Sequence, residues 1–136
     1  MKKECVKKIT IISIIIIMKL SLIPLSVSAE WKNDSYGWKY KGRNSYYASG
    51  WAQINGYWYC FDNDGYMKNS EWQYSENGYW YYLGANGECV RDSWLKLDGY
   101  WYYFDENGFN IQNQWKMIDE KCYYFDGEGK MICSCN

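Results

Sequence analysis

Two hydrophobic patterns divide this 136-residue chain. Near its start the apolar residues are nearly continuous: residues 9–18, an interrupting Lys19, then residues 20–27. Beyond residue 30 the apolar positions come instead as short aromatic bursts: Trp58-Tyr59-Cys60-Phe61, Trp80-Tyr81-Tyr82-Leu83, Trp101-Tyr102-Tyr103-Phe104 and Cys122-Tyr123-Tyr124-Phe125. Each is followed by a polar stretch ending in Gly. Four-residue aromatic runs predict strands. Asp105-Glu106-Asn107-Gly108 and its counterparts at 62–65, 84–87 and 126–129 predict tight turns, because Asp and Asn bond nearby backbone and Gly takes positive φ without steric cost. The pattern reads as one β-hairpin per burst, with the aromatic strand first, the Gly-ended turn next and a weaker strand last. An isolated hairpin is barely stable in water, so these must stack.

The bursts are one element of a longer repeat. Trp51, Trp72, Trp94 and Trp115 are spaced 21, 22 and 21 residues apart, and each begins a unit. So short a period predicts a quasi-one-dimensional array in which a unit is stable only against its neighbours. The predicted fold class is all-β, a solenoid of stacked β-hairpins, with repeats at 51–71, 72–93, 94–114 and 115–136. Residues 30–50 read as a degenerate N-terminal cap: Gly37-Trp38-Lys39-Tyr40 keeps the strand start, while Lys41-Gly42-Arg43-Asn44-Ser45 lacks the usual turn spacing. Within a strand alternate side chains share a face. Trp80 and Tyr82 therefore point one way and Tyr81 and Leu83 the other.

The front segment has a different purpose. Lysines at 2, 3, 7 and 8, the apolar run and Val27-Ser28-Ala29 form a secretory signal pattern, with cleavage expected after Ala29. A membrane anchor is the competing reading, opposed by Lys19 and Pro24 inside the run, so no integral span is expected after cleavage. Removing five lysines and Glu4 with residues 1–29 leaves ten of fifteen basic and fifteen of sixteen acidic residues, a net charge of −5. An acidic chain without a basic patch argues against nucleic acid. With no histidine, the usual general base and the Ser-His and Cys-His nucleophiles are missing. The carboxylates lie mainly in turns, so no catalytic residue, cofactor or metal site is expected.

The repeated pattern of a Trp, a gap, Gly-Tyr-Trp-Tyr-Tyr-Phe-Asp and a Gly-ended turn resembles the choline-binding, or cell-wall-binding, repeat of bacterial surface proteins and cell-wall hydrolases. The likeness covers residues 51–131, with a weaker extension to Trp31. It implies hairpins rotated one on the next, with ligand sites in the seams. It also implies cages made of a strand Trp, a connecting Trp and a Tyr of the next hairpin. Carried over by position, these are Trp58, Trp72 and Tyr82 with Met67 as a polarisable wall; Trp80, Trp94 and Tyr103; and Trp101, Trp115 and Tyr124. The rings on the opposite face, Tyr59, Phe61, Tyr81, Tyr102, Phe104, Tyr123 and Phe125, read as core. Cys60 stands where a Tyr would complete a front cage with Trp38 and Trp51, which leaves that site in doubt. Cys89 and Asn110 replace the Met of the second and third units, and Cys122 replaces the last strand Trp.

Such rings suit a trimethylammonium group, which is weakly hydrated and has no strong hydrogen-bond donor; each ring contributes about 0.5–2 kcal/mol. The resemblance thus implies a secreted, cell-wall-associated, non-catalytic module for choline-bearing teichoic or lipoteichoic acid. Carbohydrate binding to a glucan or surface glycan is the alternative, since flat rings also stack on sugars. Five cysteines follow residue 29. Cys122 faces Cys133 if the last turn has two residues, or Ser134, flanked by Cys133 and Cys135, if it has three; a cross-strand disulfide is open in either register. The equal alternative is five free, small, buried thiols. An odd cysteine also allows a disulfide-linked homodimer.

Overall fold

The computed structural model describes residues 28–135. The expected signal segment lies almost wholly outside the described residues. The chain forms five successive antiparallel hairpins: β1 (Glu30–Asp34) with β2 (Gly37–Lys41), β3 (Gly50–Ile54) with β4 (Tyr57–Phe61), β5 (Glu71–Tyr74) with β6 (Trp80–Leu83), β7 (Ser93–Leu97) with β8 (Tyr100–Phe104), and β9 (Gln114–Ile118) with β10 (Lys121–Phe125). A last strand, β11 (Met131–Cys135), extends the fifth hairpin into a three-stranded sheet. The described residues contain no helix. The all-β hairpin solenoid is therefore the architecture.

Each hairpin, however, closes on the other side of its aromatic strand from the one the turn pattern suggested. The leading Trp lies in the first strand and pairs across to the aromatic one: Trp31↔Tyr40, Trp51↔Cys60, Trp72↔Tyr82, Trp94↔Tyr103 and Trp115↔Tyr124. Asn55-Gly56 and Asp98-Gly99 make two of the connections, all four residues at positive φ, as a two-residue hairpin loop matched to strand twist requires. Asp119-Glu120 makes the same connection without a glycine, with φ of 48° and 66°.

The Gly-ended turns have another task. In the second unit the Asp62 carboxylate accepts from the Asp64 and Tyr66 amides, and Gly65 N–H donates to Asp62 O. Beyond the turn the chain makes only a single bridge back, Phe61↔Met67. Met67 N–H then donates to Trp38 O of the previous hairpin at 2.7 Å, as Cys89 does to Trp58 O and Asn110 to Trp80 O. The weaker third strand is thus a stitch between units, and only at β11 does it become a full strand.

The front segment is more complete than its sequence suggested. Gly42 N–H donates to Tyr46 O and Ser45 N–H to Gly42 O, with Ser45 at φ 67° where the second unit has Gly65 at 82°. What differs is the outward face, where Lys39 and Lys41 stand in place of Tyr59 and Phe61.

Packing runs along the stack. Phe61, Leu83, Phe104 and Phe125 point back at the preceding hairpin, and the last three are fully buried. Burying such a side chain contributes about 1.5–3 kcal/mol. Trp31–Phe61, Trp72–Phe104 and Trp94–Phe125 lie 5.6–5.9 Å apart at 31–35°, so these three leading tryptophans rest on the core of the next unit.

The five described cysteines are free. A bulge between Tyr124 and Phe125 shifts the final register away from both expected alternatives: Cys122 faces Cys135, and Cys133 faces Tyr124.

Candidate functional site

The seams between hairpins hold the exposed rings. In hairpin 3, Trp72 lies opposite Tyr82, and Trp80 is two residues from Tyr82 along its strand. Trp72 and Trp80 are thus diagonal neighbours on one sheet face, within reach for aromatic side chains. Their rings stand at 85° with centroids 6.4 Å apart. Hairpin 4 supplies the third ring, Tyr102, at 5.1 Å from Trp72. The same arrangement recurs in seam 1 (Trp31–Trp38, 6.5 Å, 85°; Trp31–Tyr59, 5.0 Å) and in seam 4 (Trp94–Trp101, 6.4 Å, 90°; Trp94–Tyr123, 4.8 Å). Seam 2 keeps Trp51–Tyr81 at 5.0 Å. Each seam forms an open cavity, of about 610, 330, 340 and 270 Å³ in seams 1 to 4.

Seams 1 to 3 each draw on three successive units. Seam 1 is lined by Trp31, Trp38 and Tyr59, by Met67 after the second turn, and by Ala85 and Asn86 from the third turn. Met67 packs against Gly87, where a Cβ would overlap its sulfur. Gly87 is also at φ +81°, and this left-handed conformation is what favours glycine here. Cys89 is the corresponding wall of seam 2 and Met131 that of seam 4. Asn107 rims seam 2 and Glu128 rims seam 3. Burial pushes the Cys89 thiol up to about 11. The Tyr59 phenol is pushed up to about 12 by burial and by its bond to Glu88, whose Oε1 accepts from it at 3.1 Å. Cys89 and Tyr59 therefore stay neutral at ordinary pH.

These placements redistribute the expected groupings. Trp72–Tyr82, Trp94–Tyr103 and Trp115–Tyr124 do touch, each with centroids 5.3 Å apart, but as cross-strand partners within one hairpin. Trp58 lies in seam 2 with Trp51, Trp80 in seam 3 with Trp72, and Trp101 in seam 4 with Trp94; Met67 belongs to seam 1. Tyr59, Tyr81, Tyr102 and Tyr123, read from parity as core, are the rings that close the cavities. The reason is geometric. A seam joins one face of a hairpin to the opposite face of the next, so ring parity must change across it. The front seam, doubtful from Cys60, is complete because Trp38 pairs with Trp31 and not with Trp51. Trp115 is half-exposed and outside these four cavities. The rim residues Asn86, Asn107 and Glu128 went unnoticed; their recurrence just before the turn glycine was the available signal.

The model of the choline-binding repeat family matches residues 48–94 and 92–134. The chain belongs to the choline-binding repeat family. Choline-binding proteins are also its neighbours among solved structures. Choline binding protein F of Streptococcus pneumoniae is 32% identical, with a TM-score of 0.66 over 77% of this chain and 35% of that one. The pneumococcal cell-wall endolysin of phage Cp-1, solved with choline, is 34% identical, with a TM-score of 0.64 over 78% of this chain and 31% of that one. The choline-binding domain of Spr1274 from Streptococcus pneumoniae is 35% identical, with a TM-score of 0.54 over 63% of this chain and 96% of that one. The chain thus spans about a third of the first two neighbours' length. No curated protein matches the sequence.

Proposed function

We propose that the chain is a secreted, non-catalytic module that attaches to bacterial cell walls by seating choline groups of teichoic or lipoteichoic acid in its seams. The observation that carries this reading is the seam 4 box. Trp94 and Trp101 meet at a right angle, Tyr123 closes a third side and Met131 the fourth. These four side chains line it, and the Lys96 ammonium lies over the Trp101 ring at 5.7 Å. Three ring faces at about 0.5–2 kcal/mol each give about 1.5–6 kcal/mol before the cost of immobilising the ligand, so a single cage binds weakly. A polymer that reaches several seams at once gains avidity of about 10²–10⁴ without any new contact. Weak single sites in series suit reversible attachment to a repetitive surface.

Immobilised choline tests the proposal directly: the protein should be retained and then released by free choline. Unretarded passage would refute it. A glycan contact beside the cages is the second reading, favoured by Tyr36, Tyr57, Tyr74, Tyr79 and Tyr100, all exposed outside the four cavities. The related structure of choline binding protein F was obtained in the presence of a peptidoglycan analogue. Tryptophan fluorescence titrated with choline and with oligosaccharides separates the two ligands.

A further inference from the structure

The last sheet gathers three of the five described cysteines on one face. β11 pairs with β10 so that Cys122 lies opposite Cys135 and Tyr124 opposite Cys133. Alternate residues of a strand share a face. Cys122, Cys133 and Cys135 therefore project from the side that also carries Trp115 and Met117, the β9 partners of Tyr124 and Cys122. The buried Ile118 and Phe125 take the other side. Cys133 and Cys135 are exposed, and Cys122 is half-buried.

Distance decides which pair can join. Directly opposed residues of an antiparallel pair have Cα atoms about 4.5–5.5 Å apart, inside the roughly 4.4–6.8 Å that a disulfide spans. Cys122 and Cys133 are diagonal neighbours, about 7–8 Å apart, and fall outside it. Cys133 and Cys135 lie two positions apart along one strand, at about 6.4–6.8 Å. Their Cβ atoms run parallel and do not converge to the roughly 3.5–4.5 Å a disulfide requires. Cys60 and Cys89 belong to other units, Cys60 buried opposite Trp51 and Cys89 in the wall of seam 2. The opposed thiols also feel each other: burial first, then the neighbouring Cys135 thiol, raises the Cys122 thiol.

We propose that Cys122 and Cys135 are a disulfide site that staples β11 to β10, with Cys133 left as a free surface thiol. β11 is the edge of its sheet, and four of its five residues are exposed. Its first residue, Met131, packs against the buried cluster of Ile111, Ile118 and Phe125, so the far end is the one that frays. A cross-link there confines it. The oxidant is a low-molecular-weight disulfide. The exposed Cys135 thiolate attacks one of its sulfurs, forming a mixed disulfide and expelling one thiolate. The Cys122 thiolate then attacks the Cys135 sulfur and expels the second. Two protein thiols are oxidised, the small disulfide is reduced to two thiols, and the two protons end on the leaving groups. A mixed disulfide at Cys133 has no opposed thiol to resolve it and persists until an outside thiol removes it.

The experiment places the reduced, folded whole chain in glutathione buffers of rising oxidised fraction, blocks the remaining thiols with iodoacetamide and maps tryptic fragments by mass spectrometry. Every sample carries Cys5→Ser, since Cys5 lies outside the described residues. Fragment 122–130 should join fragment 131–136 with the loss of two hydrogens, while Cys133 carries the block or a glutathione. Cys133→Ser should keep the link and Cys135→Ser should abolish it; both positions are exposed, so neither change endangers the fold. Amide exchange in β11 should slow at least tenfold on oxidation of the parent chain and of Cys133→Ser, and stay unchanged in Cys135→Ser. A Cys122–Cys133 link, a link that survives Cys135→Ser, or glutathione on Cys133 and Cys135 with Cys122 unlinked would each overturn the proposal. So would a dimer joined through Cys135 as the main product, or unchanged exchange in β11 of a fully linked chain. Choline takes no part in these readouts, so their outcome is independent of what the seams bind.

Discussion

Seams 2 and 4 occupy equivalent places in the stack, yet only seam 4 sets its two tryptophans at a right angle. Trp94 and Trp101 do so at 6.4 Å, whereas Trp51 and Trp58 line a common cavity without forming that pair. The decisive neighbour is the cross-strand partner of the leading Trp. Trp94 leans on Tyr103 at 5.3 Å and 63°, and Trp72 on Tyr82 at 5.3 Å and 76°. Trp51 faces Cys60, a buried thiol with too little surface to hold an indole upright. Tyr82 and Tyr103 are therefore buttresses: they touch the wall of a cage and fix its orientation.

The largest expected effect divides the two tryptophans of seam 4. Trp94 contacts Tyr103, Tyr123 and Phe125, so Trp94→Ala should remove choline binding at seam 4 and cost about 3–5 kcal/mol of stability. Trp101 is 42% exposed, and Trp101→Ala should remove the same binding for about 1 kcal/mol or less. Urea denaturation beside choline titration reads both. Equal destabilisation by the two would mean that the rings do not divide cage from core.

Exchanging the buttresses comes next. Tyr103→Cys should weaken choline at seam 4 about tenfold, or about 1.4 kcal/mol, and leave seam 3 intact because Tyr102 closes that seam. Cys60→Tyr should bring the Trp51 and Trp58 indole resonances toward the seam 4 pattern and tighten seam 2. Loss at seam 3 from Tyr103→Cys would restore the parity read from sequence.

Alkaline pH has the smallest effect. Burial first, then Glu88, raises the Tyr59 phenol to about 12 from an ordinary value of 10. Burial raises Tyr102 and Tyr103 as well. A raised folded value means that the contribution is whole below pH 10 and is lost as pH climbs toward 12. Melting temperature should thus show no change from these phenols between pH 7 and 9, then fall, and Tyr59→Phe should lessen the fall.

The fold was legible because the Trp spacing and the aromatic bursts repeat, and strand preference and period agree. The hairpin loops were partly legible: Asn55-Gly56 and Asp98-Gly99 are strong two-residue loop signals, but Asp119-Glu120 reaches positive φ through its context. The more conspicuous Gly-ended turns drew the pairing to the wrong side. The residue types of the cages were legible and their grouping was not, since parity within a strand cannot tell which face of the next hairpin arrives. The Cys122–Cys135 register hung on one bulge, which nothing in that tail's residue types announces.

The stitch that closes each seam also sets an order of arrival. The site begun by Trp72 and Trp80 waits for Tyr102 and Asn110, and then for Glu128 on its rim. Chains fold from the N-terminus as they are made. On a growing chain seams 1 to 3 are therefore finished late, after the units beyond them have emerged. The newest hairpin always has an unclosed seam, and binding competence trails synthesis along the array.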